Sequence, residues 1–219
     1  MIKKCINFIF DLFFPKNCLK CSASGFYLCS KCALSIAPPI HTKELLSFIY
    51  SACSYKDPII KRAIWLLKYK QKFDIADDLS VLIYDKMLEE ISDLKLLNNF
   101  TAPLLVPIPI HNKTLRQRSF NQSEKLAQAL VKIDQNQNFI FADALKKTKY
   151  TEHQARIRNK IERLKNLKNS FVVKNSKLVK NKNVILIDDV VTTGATLCEA
   201  RRALKEAGAR HIIAFTLAH

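Results

Sequence analysis

The feature that most constrains the fold is a stretch near the C-terminus, Asn183 to Gly208, in which one periodicity gives way to another. Val184 to Ile187 are four consecutive apolar residues, a pattern typical of a parallel strand that is buried on both faces. Apolar positions then recur at helical spacing, Thr196 and Glu199 have the spacing of a capping box, and Gly208 ends the pattern. The stretch therefore predicts a strand, a loop and a helix, the repeating unit of an α/β fold with a parallel sheet.

Chemistry-bearing residues lie in the loop between this predicted strand and helix. Asp188 and Asp189 come at the carboxyl end of the strand, where open parallel sheets bind ligands, and their carboxylates can hold sugar hydroxyls or a Mg²⁺ ion. Thr192 to Thr196 come at the helix N-terminus, where free N–H groups and the helix dipole favour a phosphate, and Gly194 lets the backbone approach closely. The alternative is an ordinary turn with a threonine cap, but adjacent acids at a buried strand end are costly without partners.

Four of the seven cysteines are spaced as two close pairs, Cys18-x2-Cys21 and Cys29-x2-Cys32. Each pair can aim two sulfurs at one ion, so the spacing predicts a tetrahedral zinc site. Four thiolate ligands would close the coordination shell, and the zinc would therefore be structural. Two disulfides are the alternative, but disulfides do not persist in the reducing compartment that we expect.

Charge and the N-terminal stretch bear on partners and location. The chain carries 36 Lys and Arg against 19 Asp and Glu, a net charge of +17, which favours nucleic acids or phosphorylated metabolites as partners. Asp11 interrupts the apolar N-terminal run and no small-residue cleavage site follows, so export is not predicted. The run is also too short to span a bilayer, and we expect a cytoplasmic protein with no membrane span.

Val184 to Thr196, which reads VILIDDVVTTGAT, resembles the PRPP-binding motif of type I phosphoribosyltransferases. The order of the cysteine pairs, the Leu66 to Tyr69 segment, the Leu105 to Ile110 strand and the loop that ends at Gln122 resembles the ComF family of competence-associated, phosphoribosyltransferase-like proteins. Further positions that fit the family's pattern are Thr151, Gln154, Arg163, Asn166 and Phe171. The departures from it are Ser119, where the family usually has glycine, and one extra residue before Asn166.

The resemblance implies a type I phosphoribosyltransferase-like parallel sheet with a small N-terminal four-cysteine zinc module. It also implies that Asp188 and Asp189 contact the ribose hydroxyls of PRPP, which binds with Mg²⁺, and that they are the catalytic candidates. By the same resemblance the turn from Thr192 to Thr196 wraps the 5-phosphate, so the further PRPP-binding candidates are Val190, Thr192, Thr193, Gly194, Ala195 and Thr196. If the protein is an active transferase, Pro107 in the turn after Val106 and Arg116 or Arg118 are the candidates for contacting the diphosphate.

Basic residues concentrate between Lys146 and Lys182, where 13 Lys or Arg stand against two acids. In type I phosphoribosyltransferases a mobile loop in this region closes over the active site. The cations can instead follow the backbone of single-stranded DNA, and the candidates for that role are Lys147, Lys149, Arg156 and Arg158. A solvated helix face is the third possibility.

We predict a zinc module over residues 1–45 and a phosphoribosyltransferase-type domain over 46–219, with helices between 55 and 90 that can bridge the two. Three functional hypotheses follow. The protein is a PRPP-binding factor that handles single-stranded DNA during natural transformation, or an active phosphoribosyltransferase with an unknown acceptor, or a zinc-containing interaction module on a degenerate transferase fold.

Overall fold

The structure, a computed structural model, describes residues 16–39, 46–135, 138–150 and 167–219, without the side chains of 95–98. Its centre is a five-stranded sheet in which every neighbouring pair of strands is parallel. The strands are Ile49–Cys53 (β1), Leu104–Pro107 (β2), Ile140–Phe141 (β3), Val184–Val190 (β6) and Ile212–Ala218 (β7), in the spatial order β1, β7, β6, β2, β3. Leu145–Lys147 (β4) and Phe171–Val173 (β5) form a separate antiparallel pair. The predicted α/β fold with a parallel sheet is confirmed.

Seven helices lie within the described residues, and the polar residues before them explain where several begin. Asp57 accepts hydrogen bonds from the backbone nitrogens of Ile59 (2.8 Å) and Ile60 (3.2 Å), and Asn121 accepts one from Ser123 (3.2 Å). The helices are Ser30–Ala33 (α1), Pro58–Tyr69 (α2), Ile75–Asn98 (α3), Asn112–Arg118 (α4), Gln122–Ile133 (α5), Ser176–Val179 (α6) and Ala195–Glu206 (α7). None of the helices in these ranges is long and apolar enough to cross a membrane.

The sheet is covered on both faces because its central strands send alternate apolar side chains to opposite sides. Ile185 and Ile187 of β6 pack with the buried residues of α2, α3 and α5. Val184 and Leu186 pack on the other face with α7 and the β4–β5 pair. Burying a large aliphatic side chain contributes about 1.5–3 kcal/mol, so the two covered faces hold the carboxyl edge of the sheet in place.

One local prediction about α7 is wrong. Its N-cap is Gly194, at φ 72°, and the helix begins at Ala195 with no capping box at Thr196. Glu199 instead accepts a hydrogen bond from the backbone nitrogen of Asn169 at 2.6 Å, because the fold brings that loop to α7. Gly208, at φ 89°, follows the helix end as predicted.

The four-cysteine segment packs on the same core as α2 and α3. Its Cys18, Leu28 and Cys32 belong to the buried cluster on that face of the sheet. The Asp78 carboxylate in α3 accepts hydrogen bonds from the backbone nitrogens of Tyr27 (2.6 Å) and Leu28 (3.1 Å). The division between residues 45 and 46 stays a prediction, since 1–15 and 40–45 lie outside the described residues.

Candidate functional site

Two carboxylates at the carboxyl end of β6 receive partners from two helices. The Ser123 hydroxyl of α5 donates a hydrogen bond of 2.8 Å to Asp188 Oδ1, which also accepts one of 3.0 Å from the backbone nitrogen of Asp189. The Lys68 ammonium of α2 forms an ion pair with Asp189 Oδ2. The backbone nitrogen of Val190 donates to the other oxygen of Asp189 at 3.0 Å. The fold thus partners both acids, as their buried position requires.

The charges at this acid pair favour the binding of a further cation. Burial, together with the charge of Asp189, raises the pKa of Asp188 to about 7. Burial by itself would lower the pKa of Lys68, but Asp189 outweighs it and the net direction is upward. The Lys68 ammonium forms an ion pair with Asp189, whereas Asp188 has hydrogen bonds but no ion pair among the described residues. This donor set fits a Mg²⁺ ion or the hydroxyls of a sugar.

The turn after β6 has the geometry of an anion site at a helix N-terminus. Gly194 adopts φ 72°, and a Cβ atom there would lie 3.0 Å from Ile49 Cδ1, so both conformation and space require glycine. The Thr193 hydroxyl accepts a hydrogen bond of 3.5 Å from the backbone nitrogen of Ala195, the first residue of α7. Thr192 is exposed. The predicted position of this turn at a helix N-terminus is confirmed, while its ligand stays a prediction.

The loop after β2 lies beside the acid pair. Pro107 is in register with Ile187, the residue before Asp188, so the chain leaves β2 next to the end of β6. The Arg118 guanidinium, at the end of α4, lies 5.4 Å from the centre of the Tyr69 ring, and its charge opposes protonation of the neighbouring Lys68. Arg116 is exposed on the same short helix. Of the two predicted arginines, Arg118 is the one whose charge acts on Lys68, the partner of Asp189.

The predicted DNA-contacting residues have different surroundings. Lys147 is half-buried in β4, and burial lowers its pKa although the charge of Asp188 opposes this, so it lies within electrostatic range of the acid pair. Lys149 is exposed and donates a hydrogen bond of 2.7 Å to the carbonyl oxygen of Lys168. Arg156 and Arg158 lie outside the described residues, as do Thr151, Gln154, Arg163 and Asn166. Their roles stay predictions.

Sequence reasoning did not identify Lys68 or Ser123 as partners of the acids. Lys68 directly follows the buried stripe of Ile60, Ile64 and Leu67 on α2, so a cation at the border of an apolar face was the available signal. Ser123 lies two residues after the N-cap Asn121 and is itself buried. A buried hydroxyl at a helix start requires a hydrogen-bond partner, but the sequence does not say which one.

The four cysteines of the N-terminal segment converge. Their sulfur atoms all lie within 4.8 Å of one another, and the Cys21 and Cys29 sulfurs are 3.7 Å apart. Four thiolates at about 2.3 Å from a tetrahedral zinc ion are about 3.8 Å from one another. All four are free thiols, so the alternative of two disulfides is not what the structure shows. Burial and the neighbouring sulfurs raise the pKa of Cys32 to about 12, and a bound cation would reverse that effect. The cluster could bind a metal such as zinc.

The fold and the two sites define a phosphoribosyltransferase-type α/β protein with a cysteine cluster. The Phosphoribosyl transferase domain family matches residues 114–219. The chain is 30% identical over 201 residues to Competence protein ComFC of Streptococcus pneumoniae, a match that covers 92% of this chain and 78% of that protein.

Two further relatives carry related names. Competence protein F of Haemophilus influenzae is 31% identical over 153 residues, which cover 69% of this chain and 64% of that protein, slightly under two thirds of its length. DNA utilization protein YhgH of Escherichia coli K12 is 29% identical over 152 residues, which cover 69% of this chain and 63% of that protein. This chain belongs to the ComF family of competence-associated, phosphoribosyltransferase-like proteins.

Proposed function

We propose that this chain binds PRPP with Mg²⁺ and acts in the cytoplasm in handling single-stranded DNA during natural transformation. The observation that carries the proposal is the carboxyl edge of the sheet, where Asp188 and Asp189 lie one short turn before the N-terminus of α7. Hydroxyl-binding carboxylates next to an anion-binding turn fit a ribose that carries a 5-phosphate. The relatives' names, competence protein and DNA utilization protein, support the DNA part.

In this proposal each part of the edge has one task. Asp188 and Asp189 orient the ribose hydroxyls, and Ser123 and Lys68 hold the two carboxylates in position. The turn from Thr192 to Thr196 surrounds the 5-phosphate. Mg²⁺ supplies positive charge for the diphosphate, and Pro107 with Arg118 lies on the side where that group would extend. The cysteine cluster would hold a structural zinc ion. Its four thiolates would fill the coordination shell, so no position would remain for catalysis.

A second candidate function is catalysis, in which the chain transfers the phosphoribosyl group to an unknown acceptor. The observation that favours it is the position of Arg118 and Lys147 within electrostatic range of the acid edge, through Lys68 and Asp188 respectively. Cations placed there can stabilise the departing diphosphate while the acceptor attacks the anomeric carbon of the ribose.

Isothermal titration with PRPP and Mg²⁺ tests the ligand. We expect binding by the wild type and loss of binding in the Asp188→Ala, Asp189→Ala double variant, because both hydroxyl partners are removed. The matched control is Asp85→Ala with Asp93→Ala, which removes two exposed acids from α3 and should bind like the wild type. Absence of binding by the wild type would contradict the proposal. Release of diphosphate on addition of one acceptor from a panel would establish the catalytic alternative.

A further inference from the structure

Two neighbouring cavities lie along α7, between Leu46, which packs beside Gly194, and the residues that precede β7. They have volumes of about 490 Å³ and about 230 Å³ and share Ser47, Phe48, Arg201 and Lys205 in their walls. One end of this surface is at Leu46, whose side chain lies 3.7 Å from the position of a Cβ atom on Gly194. The other end is at Arg210 and His211, just before β7. We call this surface the α7 groove.

Three cations of the α7 groove have no acidic partner. Within the described part of the chain, Arg201, Lys205 and Arg210 form no ion pair. The wall also contains Glu206, but this acid is paired with Arg202, which pairs with Glu199 as well. The three lie along the groove, since Lys205 is one helical turn beyond Arg201 and Arg210 follows the end of α7. A row of unpaired cations in a concave surface concentrates its field on an anionic ligand.

Arg201 is held in a fixed orientation. Its guanidinium lies 4.2 Å from the centre of the Phe48 ring, a cation–π contact that fixes the plane of the group. Its Nε atom is buried and has no hydrogen-bond partner among the described residues. Buried donors are nearly always satisfied, so the oriented guanidinium lacks one acceptor within the part of the chain that the structure describes.

The chemistry of the walls favours a phosphodiester strand over an acidic protein helix. A docking helix requires a broad exposed apolar surface, but Phe48 is only 7% exposed beneath Arg201, and Leu46 (42%) is the one large apolar side chain of the wall that is open to solvent. Successive cations along a groove match the repeating charge of a nucleic-acid backbone. We infer that the α7 groove binds the backbone of single-stranded nucleic acid. The inference takes its ligand class from the proposed DNA handling and assigns that ligand to a surface separate from Lys147 and Lys149.

The test is the salt dependence of binding to a labelled oligothymidine of about 30 nucleotides, measured by fluorescence anisotropy. In the variant Arg201→Gln, Lys205→Gln, Arg210→Gln we expect at least a tenfold higher dissociation constant near 0.15 M salt. The slope of log affinity against log salt should fall by about 2, because each lost phosphate contact removes about 0.7 from the slope for a single strand. The variant Lys205→Gln, Arg210→Gln leaves the half-buried Arg201 intact and should lower the slope by about 1.4.

The matched control removes the same charge elsewhere. Lys56, Lys61 and Arg62 are exposed at the start of α2, and their change to Gln should leave the slope unchanged. If the groove triple variant and the control triple variant lose the same affinity for oligothymidine, the inference about the α7 groove is overturned, because binding then depends on net charge alone. If the salt slope is unchanged in both groove variants, the assignment of nucleic acid to the α7 groove is overturned, but the proposed DNA function is not affected. No binding by the wild type would overturn the DNA function and the groove together. Melting temperatures confirm that each variant is folded.

Discussion

The cysteine cluster and the acid edge place polar groups close together by opposite routes. All four sulfurs come from the fifteen-residue stretch between Cys18 and Cys32, so short turns are sufficient to bring them together. The partners at the acid edge come from three separate elements, and Ser123 is 65 residues from the Asp188 that it contacts. The cysteine cluster is therefore assembled by local turns in one short segment, whereas the acid edge depends on the packing of helices on a complete sheet.

The same difference predicts how substitutions affect the stability of each region. The described part of the cysteine segment, 16–39, is shorter than the roughly 40 residues below which a domain needs disulfides or a metal. Its polar anchors at α3 are Asp78 and the ion pair of Lys16 with Asp74. The acid edge lies on strands that are buried on both faces, and local changes there should weaken it without unfolding it. Four predictions test this contrast, in order of decreasing size of the effect.

The largest effect is expected at the cysteine cluster. Cys32→Ser should abolish stoichiometric metal binding and lower the melting temperature. The proposed zinc ion would contribute folding free energy directly, and Cys32 is also buried in the core. Metal content by mass spectrometry and thermal unfolding with and without a chelator measure both effects. Cys198→Ser, outside the cluster, should keep the metal. If Cys32→Ser binds metal and melts like the wild type, the cysteine segment is not stabilised by a metal ion at these four cysteines, and this prediction is contradicted.

The second effect is expected at the ion pair between α2 and β6. Lys68→Met should lower the free energy of unfolding by about 2 kcal/mol or more, because it leaves Asp189 mostly buried without a countercharge. Urea unfolding measures it, and the exposed Lys61→Met on the same helix is the control. Adding Asp189→Asn should restore much of the loss, since the uncompensated charge is then removed. A loss that the second change does not reduce would mean that Lys68 acts through packing.

The third effect concerns Glu199 of α7, whose contribution to the free energy of unfolding should depend on pH. Burial would raise the pKa of Glu199, but the hydrogen bonds from Arg202 and the Asn169 backbone outweigh it and hold the pKa below its ordinary value of 4.5. A carboxyl with a lowered folded pKa stabilises the fold above its unfolded pKa, and this contribution is lost as pH falls through the folded value. Glu199→Gln should therefore reduce stability by about 1–2 kcal/mol at pH 7.

The difference between Glu199→Gln and the wild type should narrow as the pH is lowered below about 4.5. Urea unfolding at several pH values measures it. Glu206→Gln removes the other acid that contacts Arg202, but its side chain is 63% exposed, and we expect at most about 0.5 kcal/mol from it. A pH-independent difference for Glu199→Gln would show that its negative charge is not what holds the Asn169 loop.

The smallest effect is expected in the loop before α5, where Ser119 adopts φ 67°. That left-handed conformation favours glycine, the residue that the family resemblance leads one to expect at this position. Ser119→Gly should raise the free energy of unfolding by about 0.5–1 kcal/mol, because glycine takes the conformation without a Cβ penalty. Ser176→Gly, at the start of α6 and without a positive φ, should give no gain. Equal responses would show that the backbone at Ser119 is unstrained.

Much of the fold could be predicted because its signals are local. Four consecutive apolar residues identified β6, the helical repeat and Gly208 identified α7, and the glycine-containing turn between them identified the helix N-terminus. The predicted capping box at Thr196 and Glu199 was wrong, because it was inferred from local spacing alone. Thr196 and Glu199 have the right spacing, but Gly194 starts the helix earlier and Glu199 finds a partner thirty residues away.

The residue types at strand ends, helix starts and cysteine pairs could be read from local patterns, because those patterns depend on backbone periodicity over a few residues. The contacts of Lys68 with Asp189, of Ser123 with Asp188 and of Arg201 with Phe48 could not, and they are known only from the folded chain. Such pairs join elements far apart in the chain, and which of many possible partners meet is fixed by how the helices pack on the two faces of the sheet.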